Sequence, residues 1–182
     1  MSEDYNKRYS IWGEFDESST SALEEIQKRV NLSLKGPLFK PHLTLSGFFE
    51  INSEILEDIQ RFSLKQKKLL MKTQSYGMKD KFFQALYIEI EESETLIQLK
   101  KNLDKILFKN SGEFFPHISL FYGLEDESRK QLVTHKLLPP EEILLNKLSI
   151  ASIEEDIKAW EIIHSFPLVE NITADISLGR PI

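Results

Sequence analysis

A chain of 182 residues with 41% hydrophobic and 29% charged side chains is long enough for one globular unit with a sizeable core. It has no cysteine, which excludes disulfides, thiolate catalysis and cysteine-ligated zinc. A net charge of -6 argues against broad capture of long nucleic acid, because affinity for polymer phosphate comes mostly from lysine and arginine.

In chain order, "MSEDYNKRYS" has no apolar leader segment, and no stretch approaches the roughly 20 apolar residues of a membrane span, so the chain is expected to be soluble and cytoplasmic, with no membrane partner. "RYSIWGEF" alternates and predicts a strand. A helix follows over "SALEEIQKRV", with Ser21 and Glu24 fitting a capping box and Leu23, Ile26 and Val30 forming its apolar face. Gly36-Pro37 breaks the chain before "FKPHLTLSG", which reads as a strand running on to Phe49, and "SEILEDIQRF" then has the spacing of a second amphipathic helix.

The second half repeats this rhythm. "FFQALYIEI" predicts a strand, Leu96, Leu99, Leu103, Ile106 and Leu107 a helical face, "FFPHISLFYG" a strand, and "EDESRKQLVTHKLL" a helix closed by Pro139-Pro140. Further strands are expected at "LLMKTQSYG", "EILLNKLSIASI" and "AWEIIHSF". The expected organisation is a single two-lobed domain over residues 1-170 with a loose tail over 171-182.

The repeat carries chemistry. His42-Leu43-Thr44-Leu45 and His117-Ile118-Ser119-Leu120 each follow a proline and alternate imidazole, apolar, hydroxyl, apolar. In a strand, successive side chains point to opposite faces, so each phrase presents an imidazole and a hydroxyl together. If the two halves pack as equivalent lobes, two histidines and two hydroxyls converge on a cleft. That set suits phosphate ester chemistry without a metal or cofactor: one imidazole takes a proton, the other gives one, and the hydroxyls hold the phosphate oxygens. The residues leave open which histidine is the base. A duplicated structural strand without chemistry is the competing reading.

With these residues in place, the chain resembles the two-histidine (2H) phosphoesterases, defined by paired H-x-[ST]-x motifs. Within that superfamily it looks most like the cyclic nucleotide phosphodiesterases of plant and yeast type, through "YSIW", "GPLFKPHLTL", "FFQ", "PHISLFYG" and "AWE" in that order. The resemblance implies an α+β, two-lobed, duplicated LigT-type fold, with antiparallel sheets, helices on the outer faces and a central cleft. It implies a monomeric, metal-independent hydrolase that opens a small 2',3'-cyclic nucleotide, or ADP-ribose 1'',2''-cyclic phosphate, to the 2'-phosphate. It assigns acid and base work to His42 and His117 and phosphate binding to Thr44 and Ser119. Rival readings are an RNA-end or cyclic-oligonucleotide phosphodiesterase and a non-catalytic nucleotide-binding module.

Four further residues are candidates for substrate contact. Tyr122 stands five positions after His117, on the opposite face of an ideal strand, yet the resemblance places a tyrosine near the phosphate; a bulge or strand end reconciles the two. Trp12 fits either a core position or a stacking platform, Phe83 either core or ligand contact, and Gln84 either a polar reader or a strand-face residue. Lys40 reads as solvated, His135 as exposed and His164 as structural. Glu154-Glu155-Asp156 reads as a turn rather than a metal site.

Overall fold

The computed structural model describes residues 8–110 and 112–174. Its first half runs β1 (Arg8–Phe15), α1 (Glu17–Leu34), β2 (Leu43–Phe49), α2 (Ser53–Ser63) and β3 (Lys67–Met78). The same five-element order returns as β4 (Leu86–Ile90), α3 (Glu94–Ile106), β5 (His117–Phe121), α4 (Glu127–Thr134) and β6 (Glu142–Ile153). Two strands close the chain, β7 (Glu161–Pro167) and β8 (Val169–Ala174).

Local chemistry sets the helix ends. Helix α1 begins a turn before the expected capping box, because the Asp16 carboxylate already accepts the Ser19 amide at 3.0 Å and satisfies an orphan donor. Asn52 and Ser93 cap α2 and α3 in the same way. The apolar faces are those the spacing predicts, with Leu23, Ile26 and Val30 buried on α1 and Leu96, Leu99 and Leu103 on α3. Helix α4 is shorter than expected, since its inward positions are Lys130 and Thr134, which give little apolar burial to sustain another turn.

The strands form one mixed, mostly antiparallel sheet in the order β7-β6-β1-β2-β5-β4-β3-β8. Strands β3 and β6 are long and change partners midway: Leu69–Lys72 pairs with Glu142–Leu145, and beyond that segment β3 turns to β4 while β6 turns to β1. The two halves are thus joined at one end by β3 and β6. At the other they meet through β2 and β5 at a single residue pair, Leu43 and Ile118. Helix α1 packs on β5 and α3 on β2, so each helix covers the histidine strand of the opposite half. Leu43, Leu45, Ile118 and Leu120 are fully buried beneath them.

Two expectations need correction. Residues 171–174 do not belong to a loose tail: they complete β8, which adds in parallel to the β3 edge with Lys67 opposite Val169 and satisfies backbone groups that an open edge would expose. Residues 175–182 lie outside the described residues. Phe82–Gln84 is a 3-10 turn and not the start of a strand, held by the Gln84 amide on the Lys81 carbonyl and the Gly123 amide on the Phe82 carbonyl. Among the described residues no helix is long and apolar enough to cross a membrane.

Leu43→Ala is expected to cost about 2–5 kcal/mol, as for other buried leucines, and Asp16→Ala about 1 kcal/mol through the lost cap. Urea unfolding at neutral pH checks both. A cost for Leu43→Ala no larger than that for the cap would contradict the place given to the β2–β5 contact.

Candidate active site

The site follows from the one pairing between β2 and β5. With Leu43 opposite Ile118 in an antiparallel ladder, continuing the register by one residue sets His42 opposite Ser119 and Thr44 opposite His117. Leu43 and Ile118 point into the core, so the four polar side chains share the other face. Opposite positions in such a ladder have Cβ atoms about 5 Å apart, close enough to act on one small group.

Both imidazoles are held alike. His42 Nδ1 lies 2.8 Å from the Lys40 carbonyl, and His117 Nδ1 lies 2.8 Å from the Phe115 carbonyl. A carbonyl only accepts, so Nδ1 carries the hydrogen in each neutral ring and Nε2 is left as the acceptor. In each case the partner stands two residues earlier, across the proline of the repeated phrase.

All eight side chains singled out from the sequence line one cleft of about 280 Å³. Trp12 is buried and also lines the cleft, because its partner is the site itself: its ring stacks on His42 at 3.6 Å with the planes 9° apart. Tyr122 follows the last residue of β5, so strand alternation no longer governs it; it stacks on Phe39 at 4.1 Å, beside Ser119, whose hydroxyl donates to the Phe83 carbonyl at 3.5 Å. Thr44 is exposed to the cleft and Ser119 is buried in its wall. Phe83 is 54% exposed on its turn and belongs to the cleft mouth rather than the core, and Gln84 accepts a hydrogen bond from Lys79 at 3.3 Å.

Sequence reasoning missed Trp160 and Phe48, which also line the cleft. Trp160 lies over Phe83 at 6.2 Å and tilts against Trp12 at 5.9 Å. Its Nε1 donates to the Glu154 carbonyl at 2.8 Å, so the acidic turn between β6 and β7 fixes it. The signal was the "AWE" phrase itself, whose tryptophan sits just before β7. Lys40 is not simply solvated, because it forms an ion pair with the buried Glu14. His135 is exposed at the end of α4, and His164 is exposed on β7 against Phe166 rather than packed in a core; neither lines the cleft. Among the described residues no group of three or more His, Asp or Glu side chains gathers at metal-binding range. A larger hollow of about 390 Å³ between α1 and α4 has no histidine in its lining, so volume alone does not choose the site.

A family model described as the 2'-5' RNA ligase superfamily matches residues 15–157, spanning both histidine phrases. The chain belongs to that superfamily. Solved structures agree on its LigT-type fold. LigT of E. coli in apo form is 13% identical, with 90% of this chain and 98% of that one covered and a TM-score of 0.62. The same protein complexed with NADP+ gives 14%, 90%, 98% and 0.63. TT0787 of Thermus thermophilus is 18% identical over 88% of this chain and 97% of that one, with a TM-score of 0.60. No curated protein gives a significant match.

In this superfamily member the two imidazoles differ electrically. Burial, with a smaller repulsion from His117, lowers His42 to about 4, so it is neutral near pH 7. Burial and the Lys79 cation lower His117 as well. Burial pushes the Tyr122 phenol up to about 12, so it stays protonated and able to donate.

The His42 shift has a consequence for stability. Its folded value lies below the ordinary 6.5, so between pH 6.5 and about 4 the unfolded chain binds a proton that the folded chain refuses. This contribution is fully present above pH 6.5 and is lost as pH falls toward 4, in total roughly 3 kcal/mol. Denaturant unfolding across pH 4–7 is expected to show that much more acid-side slope in the wild type than in His42→Gln. Equal slopes would contradict the buried, neutral imidazole.

Proposed function

We propose that the protein is a metal-independent cyclic phosphodiesterase that opens a small 2',3'-cyclic nucleotide to the 2'-phosphate, or ADP-ribose 1'',2''-cyclic phosphate to one of its two monoesters. The observation that carries this reading is the square of His42, Ser119, Thr44 and His117 on one face of the β2–β5 ladder, with Nδ1 of each imidazole tied to a backbone carbonyl. Thr44, Ser119 and the phenol of Tyr122 donate hydrogen bonds to the non-bridging oxygens, where charge grows in the transition state. His42, neutral through burial, takes a proton from water as its oxygen bonds to phosphorus. His117, charged, gives a proton to the 3'-oxygen as the bond from phosphorus to that oxygen breaks. A bound phosphodiester anion favours the charged form of His117 by direct attraction.

Membership of the superfamily supports phosphoester chemistry, and the order of motifs along the chain supports a reading on the pattern of the plant and yeast cyclic phosphodiesterases. LigT of E. coli has been crystallised with 3'-AMP and with phosphate, ligands of the kind this cleft would take. A cleft of about 280 Å³ in a protein of net charge -6 suits a single nucleotide better than an RNA strand, which calls for a basic groove. The aromatic walls formed by Trp160, Phe83 and Phe48 suit stacking on a base.

The test is hydrolysis of 2',3'-cyclic AMP, ADP-ribose 1'',2''-cyclic phosphate and a cyclic dinucleotide by pure protein in excess chelator. Turnover of 2',3'-cyclic AMP to the 2'-phosphate is expected, falling about a hundred- to ten-thousand-fold in His42→Ala and in His117→Ala. Release of a 3'-phosphate, or turnover that survives either substitution, would refute the mechanism, and binding without hydrolysis would favour a nucleotide-binding module. The pH profile of kcat/KM is a separate check. The active form needs His42 neutral and His117 charged, so the rate is expected to rise through about pH 4 and to decline before pH 6.5, giving an optimum on the acid side of neutrality. A plateau extending above pH 8 would exclude this pairing of roles.

A further inference from the structure

The duplication extends beyond the histidine phrases. Trp12 lies opposite Thr44 and Gly13 opposite Leu43, which sets Glu14 opposite His42 in the continuing register. In the second half Tyr87 lies opposite Ser119, Ile88 opposite Ile118 and Glu89 opposite His117. Strands β1 and β4 therefore each bring an aromatic residue to the hydroxyl and a glutamate to the histidine. The aromatic partner then contacts the imidazole: Trp12 lies flat on His42, and Tyr87 meets His117 edge-on at 5.2 Å.

The halves part company at the residue whose carbonyl holds Nδ1. In the first half this is Lys40, whose ammonium pairs with Glu14. Glu14 is 1% exposed and its carboxylate also accepts the Ser149 hydroxyl, which lies 3.0 Å from that of Ser165; Lys147 stands 3.8 Å away. In the second half the same place belongs to Phe115, which packs its ring on His117 at 5.2 Å and edge-on to Tyr87 at 5.5 Å.

We propose that Glu14 is a positioning residue for His42: by anchoring the Lys40 side chain it fixes the Lys40 carbonyl that holds the Nδ1–H of the imidazole, a task that the Phe115 ring performs for His117. A buried carboxylate held by the Ser149 hydroxyl of β6, itself in contact with the Ser165 hydroxyl of β7, is a rigid anchor, whereas a lysine at the surface alone is not. Phe39, the preceding residue, is fixed by its stack on Tyr122, and Pro41, the following one, has a restricted backbone, so the segment has little freedom beyond the ion pair. The charges also act on the ring directly: Glu14 favours the imidazolium of His42, while Lys40 and His117 disfavour it. This assignment deepens the acid and base reading given above and rests on it for its effect on rate.

Glu14→Gln and Lys40→Met separate positioning from simple structural support. Lys40 is 41% exposed on its side chain, so losing the carboxylate leaves it free to reach water rather than buried and unpaired. The measurement is an NMR titration of the imidazole nitrogens of the full chain, which reports the tautomer and midpoint of each histidine without reference to turnover. Both variants are expected to lose the single Nδ1–H tautomer of His42. The His42 midpoint should move down in both, because the lost carbonyl contact favours the imidazolium more than either charge acts on it, and further down in Glu14→Gln, where an attractive charge is gone, than in Lys40→Met, where a repulsive one is gone. His117 should keep its wild-type signals in both, and kcat/KM on 2',3'-cyclic AMP should fall about ten- to a hundredfold. A retained Nδ1–H tautomer in Lys40→Met, or an upward shift of the midpoint there, would overturn the proposal. Should Glu14→Gln fail to fold, Lys40→Met with Lys40→Arg as the restoring variant decides it. Wild-type protein without turnover would sink the functional reading alone, because the titration still judges the positioning.

Discussion

The β2–β5 contact at Leu43 and Ile118 is the constraint on which the site depends. In an antiparallel ladder, one pair fixes the facing of every residue beside it, and a slip of either strand by one position would turn its imidazole into the core and its aliphatic side chains into the cleft. The burial of Leu43, Leu45, Ile118 and Leu120 under α1 and α3 makes such a slip costly. The apolar face thus specifies the polar one: the site holds its geometry because the core beneath it has one good packing.

Side-chain links reinforce this from the helix side. Asn31 near the end of α1 donates to the Leu120 carbonyl of β5 at 2.9 Å, and Lys109 just after α3 donates to the Gly47 carbonyl of β2 at 2.8 Å. Each link starts in one half and ends on the histidine strand of the other. Between those strands the aromatic residues form a nearly continuous surface in which His42 lies flat on Trp12, and Phe39, Tyr122, Phe83 and Trp160 follow at successive contacts. A water-poor wall of this kind lowers the charge tolerance of His42 while leaving the exposed Thr44 beside it free to meet an anion.

What the sequence makes legible follows from how local the signal is. Alternation at His42-Leu43-Thr44-Leu45 and the 3.6 spacing of Leu96, Leu99 and Leu103 are properties of neighbours along the chain, and they predict both the strand faces and the helix face. The N-terminus of α1 departs from the capping-box expectation because a carboxylate and a hydroxyl compete as caps, and the earlier one, Asp16, leads the helix. Phe83 and Gln84 read as strand because their composition is strand-like, but the fold needs a turn there to deliver them to the cleft mouth. Trp160, the Glu14–Lys40 pair and the parallel addition of β8 depend on partners far away in sequence, for which no local pattern exists. The second repeat, Trp12-Gly13-Glu14 against Tyr87-Ile88-Glu89, is too degenerate to notice until register aligns it.

The way α1 covers β5 while α3 covers β2 gives the duplication a particular meaning. Neither repeat contains a complete core of its own: separated from its twin, each would leave a histidine strand with its aliphatic side bare and a helix without its main strand partner. The reciprocal covering is that of a two-fold dimer whose subunits have been joined end to end, with β3 leading directly toward β4 as the tether. Fusion places both partners at high effective concentration and releases each from matching itself. Lys40 and Phe115 can then differ, and two imidazoles that symmetry would have made identical become free to take opposite parts in one reaction.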